Sequence, residues 1–423
     1  MHHFDYRDGV LHCEGVSLAD IAARHGTPAY VYSRATIERH YDVFKAAFAP
    51  RTVLIAYAVK ANSNLAVLAA LAARGAGADT VSAGEIVRAL KAGVPPERII
   101  FSGVGKTESE IEFACANAIH QINVESIAEL DMVEAVARRA HARPGVAIRV
   151  NPAIGAGAHG KISTGGEDAK FGVSPQDALA LYARAARSSH LKAQGLAVHI
   201  GSQIRDLSPL AEAFGVVRRM AEQLRGEGMG VERLDLGGGL GVPYFNEPDP
   251  PPPAEYAAMV ERAFAGMDID LAFEPGRLIV ANAGILLSRV IRVQTRAAAP
   301  ILVVDAAMND LIRPAMYDAY HDIQPVREAD RGAARAAMDV VGPICETGDT
   351  FARARPLPPL AAGDLVAFMT AGAYGSVMSS TYNSRPLAPE ILVSGDRTAL
   401  VRERFELADQ LRLEHIPAWL SPR

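Results

Sequence analysis

The chain has 423 residues, of which 49% are hydrophobic and 22% charged, with a formal net charge of -5. That length exceeds what one core usually serves and points to two domains of an ordinary soluble globular protein. The acidic balance argues against a nucleic-acid partner and against a polybasic membrane anchor.

No apolar run reaches membrane-span length, and the opening MHHFDYRDG lacks the apolar core of a signal peptide, so a cytoplasmic location is expected. Cys13, Cys115 and Cys345 lie far apart in the sequence. Their spacing supports neither a metal site nor a disulfide framework.

Residues 1–32 are short and mixed, with strand-like pieces at 10–11 and 29–32. Ser33 is placed to cap a first helix running to about residue 48. Apolar, β-rich runs then recur at 53–59, 78–81, 98–101, 121–124, 145–150, 195–200, 233–236 and 271–273, with helical patterns between them. Ser82 with Glu85, Thr107 with Glu110 and Ser126 with Glu129 fit capping boxes. Ser174-Pro175 and Ser208-Pro209 each put a cap residue before a proline at the first helical position.

Eight strand-then-helix units imply parallel strands with right-handed crossovers, and eight strands close a barrel. A doubly wound open sheet is the alternative, but its early GxGxxG turn is absent after the first strand. Residues 33–280 are therefore expected to form a (β/α)8 barrel. Residues 151–172, rich in glycine and polar groups, are long enough for a lid or binding loop. Residues 249–253 (DPPPP) read as a stiff spacer.

Beyond residue 282 the pattern changes to short strands at 285–293, 301–304, 338–341, 365–369 and 390–393. Turns or loops are expected at 355–359 and 361–364, and helical periodicity is weak until residue 401. Residues 1–32 together with 281–423 are expected to form a mainly antiparallel β-domain.

The active site of such a barrel lies at the C-terminal ends of its strands. Lys60 ends the first of them, in TVLIAYAVKANSN. It is either a lysine that snorkels to water or one held half-buried, where desolvation makes it a nucleophile or Schiff-base former. The other strand ends carry Asp79 and Ser82, Ser102 and Gly103, Glu125, Arg149, residues 199–203, Gly237-Gly238-Gly239 and residues 274–277. Three glycines after strand seven exceed the need of a tight turn and suit a backbone nest for phosphate, and Gly276 follows strand eight.

A strand-end lysine beside a phosphate nest suggests pyridoxal phosphate, with Lys60 holding its aldehyde. Glu274 is the candidate partner of the pyridine nitrogen, since a carboxylate there favours the protonated ring as an electron sink. His199 either stacks on the ring face or is a hydrogen-bonded core histidine.

YAVKAN (57–62), HIGSQI (199–204), GGGLGVPY (237–244) and EPGR (274–277) resemble the barrel-type, fold-type III pyridoxal phosphate decarboxylases of basic amino acids. STGGEDAKFGV (163–173), RPAMYDAYHDI (313–323), GPICETGD (342–349) and GAYGSVMSSTYNSRP (372–386) narrow the resemblance to the diaminopimelate decarboxylases. It covers nearly the whole chain and departs at Thr347, where serine is common, and at Asp318, where glycine is common.

The resemblance implies a carboxy-lyase that converts meso-2,6-diaminopimelate to L-lysine and carbon dioxide, as a homodimer with shared active sites. It implies Lys60 as the Schiff-base lysine, Glu274 at the pyridine nitrogen and His199 on the ring face. Ser202, Gly238, Gly239, Gly276 and Tyr374 would surround the phosphate. Arg277, Arg313 and Tyr317, with Tyr374, would bind the carboxylate that is retained. From the partner subunit, Glu346 would meet the distal ammonium and Cys345 would donate a proton to the carbanion. Arginines suit that carboxylate because their fork binds it in two places. Substrates of the ornithine, arginine or lysine type lack it and are the alternative. A non-catalytic regulator is disfavoured by the presence of Lys60, Glu274 and the glycine nest.

Overall fold

The eight apolar runs form eight parallel strands because each is buried on both faces. They are β1 (Leu54–Ala58), β2 (Gly77–Thr80), β3 (Ile99–Phe101), β4 (Gln121–Val124), β5 (Gly145–Val150), β6 (Lys192–Val198), β7 (Arg233–Asp235) and β8 (Asp270–Phe273). The computed structural model describes residues 2–155, 164–166, 169–244, 247–296, 299–330 and 332–420. Neighbours pair in sequence order and β8 returns to β1, with Ala272 opposite Leu54, so the sheet closes into a barrel. This barrel lies within one compact unit, Ile37–Ala281. Met1–Thr36 with Asn282–Arg423 forms the other.

Side-chain caps fix where the barrel helices begin, and so where the loops after the strands end. Ser82, Ser126 and Ser174 accept the third helical N–H of Ala83–Lys91, Ile127–Arg139 and Pro175–Arg187. Of the three capping boxes expected from the sequence, the one at Thr107 forms in full, on Glu108–Ala116. Glu85 and Glu129 instead reach one residue beyond the cap, to the N–H of Val81 (2.8 Å) and Glu125 (2.7 Å). Ser208 is not a cap but the first residue of Ser208–Gly226. Asp206 does the capping there, accepting from the Ser208 N–H (2.9 Å) and hydroxyl (2.8 Å).

Of the long segment after β5, residues 156–163 and 167–168 lie outside the described residues. Its described ends are tied down. Asn151 N–H donates to Val173 O (2.8 Å), and Thr164 N–H to Ile200 O (3.0 Å).

In the second unit nine described strands form one sheet. Gly284–Gln294 lies at its centre, paired with Ala29–Ser33, Ile301–Val304 and Leu365–Phe368. Its apolar face carries Val31, Ile285, Leu287, Ala367, Ile391 and Val393, all below 1% exposed. Most pairs are antiparallel, but Glu390–Ser394 runs parallel to Ala29–Ser33, and Ile301–Val304 parallel to Ala336–Val341.

Two expectations fail here. The turn expected at 355–359 is largely the end of a strand, Thr350–Leu357. It is the edge strand of the sheet, where Pro356 can be accommodated. The helical pattern expected from residue 401 starts later, because residues 401 and 402 end a strand, Arg397–Arg402, turned back on Glu390–Ser394 through Gly395, whose φ is +63°. Beyond it the described residues hold the helix Leu407–Leu411 and a single helical turn, Ala418–Leu420. Asp318 ends the short helix Arg313–Tyr317 in the left-handed conformation, φ +50° and ψ +30°. That explains why glycine suits the position and why aspartate, one of the few residues that tolerate it, replaces it.

Candidate active site

Lys60 is delivered by the end of β1. The strand passes into one tight turn, Val59–Ala61, after which Asn64 caps Leu65–Ala72 by accepting the Ala66 N–H (2.9 Å). Asn62 Oδ1 accepts the Asn64 N–H (3.1 Å), and the Tyr57 hydroxyl donates to Asn62 O (3.1 Å). The KAN sequence therefore bends the chain at the strand end, which leaves the lysine facing a cavity of about 180 Å³ in the barrel mouth. Its Nζ pairs with Asp79 at the end of β2; the aspartate is wholly buried and the lysine side chain 37% exposed. The amine thus meets a carboxylate rather than an apolar wall.

Glu274 follows β8 and lines the same cavity. Its Oε1 accepts from Ser102 Oγ (3.3 Å) and Asn123 Nδ2 (3.4 Å). Asn123 also donates to Asp235 Oδ2 (3.1 Å), and Asp235 Oδ1 accepts the Gly237 N–H (3.1 Å). Burial pushes the Glu274 carboxyl well above its ordinary range, and the charges of Asp235 and Asp79 push it further against the opposing charge of Lys60. Burial raises Asp235 as well, and a hydrogen bond joins the two carboxyls. Both carboxyls are therefore held above their ordinary range, Glu274 the more strongly of the two.

His199 sits at the end of β6. Its Nδ1 accepts the Gly238 N–H (3.1 Å), which leaves the ring proton on Nε2. Enclosure lowers its pKa well below the usual value, and the charges of Arg149 and Lys60 lower it further. The result is a neutral, flat ring on the cavity wall. Arg149 is itself held by Glu125, with Nη1 3.0 Å from both carboxylate oxygens.

Each glycine of the triple has its own steric reason. A Cβ on Gly237 would lie 2.5 Å from Val198 O, on Gly238 2.3 Å from Glu274 O, and on Gly239 2.6 Å from Gly201 O. Gly237 and Gly239 also have φ of +63° and +119°. The turns after β6, β7 and β8 are thus packed backbone against backbone. Gly276 extends this wall, since its Cβ would be 3.0 Å from Ala58 and Ala61.

The Arg277 guanidinium, almost fully buried, donates to Ser202 Oγ through Nε (3.2 Å) and Nη2 (3.1 Å), and to the Tyr244 hydroxyl through Nη1 (2.7 Å). Lys60, His199, Ser202, Gly238, Gly239, Glu274, Gly276 and Arg277 thus all belong to the barrel unit.

Arg313, Tyr317, Cys345, Glu346 and Tyr374 belong to the β-unit. Arg313 and Tyr317 are four residues apart on one short helix and share a face. Cys345 and Glu346 are exposed on the loop after Ala336–Val341. Asp349 folds that loop, accepting the N–H groups of Ile344 (2.7 Å) and Met308 (2.6 Å). Tyr374 has a left-handed backbone, φ +52°, a strained state of the kind found where function demands it.

Sequence reasoning gave no role to Asp79, Asn123, Asp235 or Tyr244. The available signal was a lone carboxylate ending an apolar run, as Asp235 does in RLDLGGG.

A cavity with a lysine amine at one side and a buried carboxyl pair at another, beside close-packed glycine turns, fits pyridoxal phosphate. Residues 34–281 match the pyridoxal binding domain of the pyridoxal-dependent decarboxylases, which defines the class. Along its whole length the chain is similar to diaminopimelate decarboxylase of Zymomonas mobilis, with 47% identity over 99% of each chain. The crystal structure of the Helicobacter pylori diaminopimelate decarboxylase complexed with L-lysine is 42% identical, with a TM-score of 0.90 over 93% of this chain and 98% of that one. The M. jannaschii diaminopimelate decarboxylase, also in complex with L-lysine, gives 34% identity and a TM-score of 0.94 over 100% of both chains. The chain belongs to the diaminopimelate decarboxylase family, whose cofactor is pyridoxal phosphate.

Proposed function

We propose that this enzyme removes one carboxylate of meso-2,6-diaminopimelate as carbon dioxide and releases L-lysine, the last step of lysine biosynthesis. The observation that carries this reading is the convergence of Lys60, His199 and Glu274 on one cavity, with the Gly238 turn packed against the last two, in a chain that matches its relative over 99% of its length.

Bound pyridoxal phosphate supplies an electron sink for the pair left behind when carbon dioxide departs. Lys60 would hold its aldehyde, and Asp79 would pair with the lysine amine whenever that amine is free. Glu274, with Asp235 beside it, would face the ring nitrogen, where its carboxyl would keep a proton on that nitrogen. His199 would cover a ring face without adding charge there. Ser202, Gly238, Gly239, Gly276 and Tyr374 would hold the phosphate.

Arg277, Arg313, Tyr317 and Tyr374 bind the carboxylate that is retained, and Glu346 binds the distal ammonium. Together they select which carboxylate leaves. Cys345 returns a proton from Sγ to the α-carbon. We further propose that Cys345 and Glu346 act in the site of the second copy in a homodimer, a reading supported by their exposure on their own unit. A cytoplasmic location is supported by three unpaired cysteines, which suit a reducing compartment; among the described residues no helix is long and apolar enough to cross a membrane.

The test is carbon dioxide release from a panel of amino acids. Release from diaminopimelate, with little from ornithine, arginine or lysine, is expected. Release from ornithine or arginine but not from diaminopimelate would make this a related decarboxylase. No release, with no visible band on adding cofactor, would make it a non-catalytic homologue.

A further inference from the structure

Arg313 and His321 form a buried pair in the β-unit, 6% and 1% exposed. Arg313 Nη1 lies 2.9 Å from His321 Nε2. A guanidinium keeps all its protons and can only donate, so Nε2 must be the acceptor. The ring proton then sits on Nδ1, which donates to Met369 O at 2.9 Å. The two contacts define one tautomer of a neutral imidazole.

The imidazole stands on rigid ground. Met369 N–H donates to Asp322 O (2.8 Å), extending the antiparallel pairing of Ile323–Pro325 with Leu365–Phe368. Arg355 Nη1 donates to His321 O (2.9 Å), and its guanidinium lies 4.0 Å from the centre of the Tyr320 ring. Arg313, by contrast, stands on a helix of five residues, which has little order of its own. The histidine therefore ties a weak element to a strong one.

We propose that His321 is a positioning residue, a neutral acceptor that fixes the plane of the Arg313 guanidinium without compensating its charge. The inference rests on the reading of Arg313 as an anchor for the retained substrate carboxylate. A carboxylate at position 321 would hold the arginine as firmly but would neutralise it. An imidazole orients the fork and adds no negative charge of its own beside it. The consequence is specificity for a substrate that has a distal carboxylate.

The test compares His321→Gln with His321→Glu, two side chains of the same shape that can both accept from Arg313 and differ in charge. Arg313→Ala and His321→Asn, which is too short to reach the guanidinium, accompany them. KM and kcat for diaminopimelate are measured in holoenzyme, with thermal melts as a folding check. His321→Gln should stay near wild type. His321→Glu, His321→Asn and Arg313→Ala should each raise KM by at least about tenfold, the worth of one charge-assisted contact, with a smaller effect on kcat. Equal KM values for the Gln and Glu chains, with Arg313→Ala still impaired, overturn the role of His321 alone. An unchanged KM in Arg313→Ala overturns the anchor reading and the inference with it.

Discussion

Gly238→Ala tests how closely the turn after β7 must approach the turn that carries Glu274. The added Cβ would lie 2.3 Å from the Glu274 carbonyl oxygen and 3.1 Å from its carbonyl carbon. Both neighbours are backbone, so no rotamer change relieves the clash. Ordinary contact distances require the turns to part by about 1 Å. Forcing one extra carbon into packed structure costs about 1–3 kcal/mol. For a unit of this size that is a loss of roughly 2–4 °C in Tm per kcal/mol. The larger effect is expected on function, because a displacement of about 1 Å in catalytic geometry costs on the order of 100-fold in rate. Thermal melts, cofactor titration by visible absorbance and carbon dioxide release measure the three consequences. Gly105→Ala is the control, since a Cβ there meets nothing within 4 Å. A Gly238→Ala enzyme with wild-type melting, cofactor affinity and rate would refute the argument.

Lys106 is buried, and its Nζ lies 2.6 Å from each of Gly103 O, Asn123 O and Glu129 Oε1. Lys106→Met leaves Glu129 without its cation and should cost about 3–5 kcal/mol in denaturant unfolding; a loss below about 1 kcal/mol would show that water replaces the lysine. Burial holds the Asp310 carboxyl up at about 7. Above about pH 4 the unfolded chain has released that proton while the folded chain keeps it, so stability should fall as pH rises towards 7. Asp310→Asn should flatten that slope in urea titrations of the apoprotein, and an unchanged slope would contradict the assignment. Mixing inactive Lys60→Ala chains with inactive Cys345→Ala chains should restore part of the activity. No restoration, with subunit exchange demonstrated, would argue that each site is built from one chain.

The barrel was legible because its strands are buried on both faces, and residues 53–59 or 145–150 carry that requirement in their composition. The same rule misreads Thr350–Leu357, whose edge position admits arginines and a proline that look like a loop. Lys60 stood out because a charge ends an apolar run. Asp235 and Asp79 end apolar runs too, but a single acid at a strand end also reads as a turn. Their meaning depends on β2, β7 and β8 bringing three carboxyls together, which only barrel closure supplies. The glycine triple was readable as special, yet its strictest demand comes from neighbouring backbone rather than from a phosphate. His321 gave no signal, because its role lies in the direction of two hydrogen bonds.

The most direct test of the account is where the cofactor is attached. The holoenzyme should be treated with borohydride, which reduces a lysine–aldehyde link to a stable amine, then digested and read by mass spectrometry. The pyridoxyl mass is predicted on the peptide that contains Lys60, with stoichiometry near one per chain and loss of the label in Lys60→Ala. A label on Lys106 or another lysine, or no label in an active enzyme, would contradict the central claim.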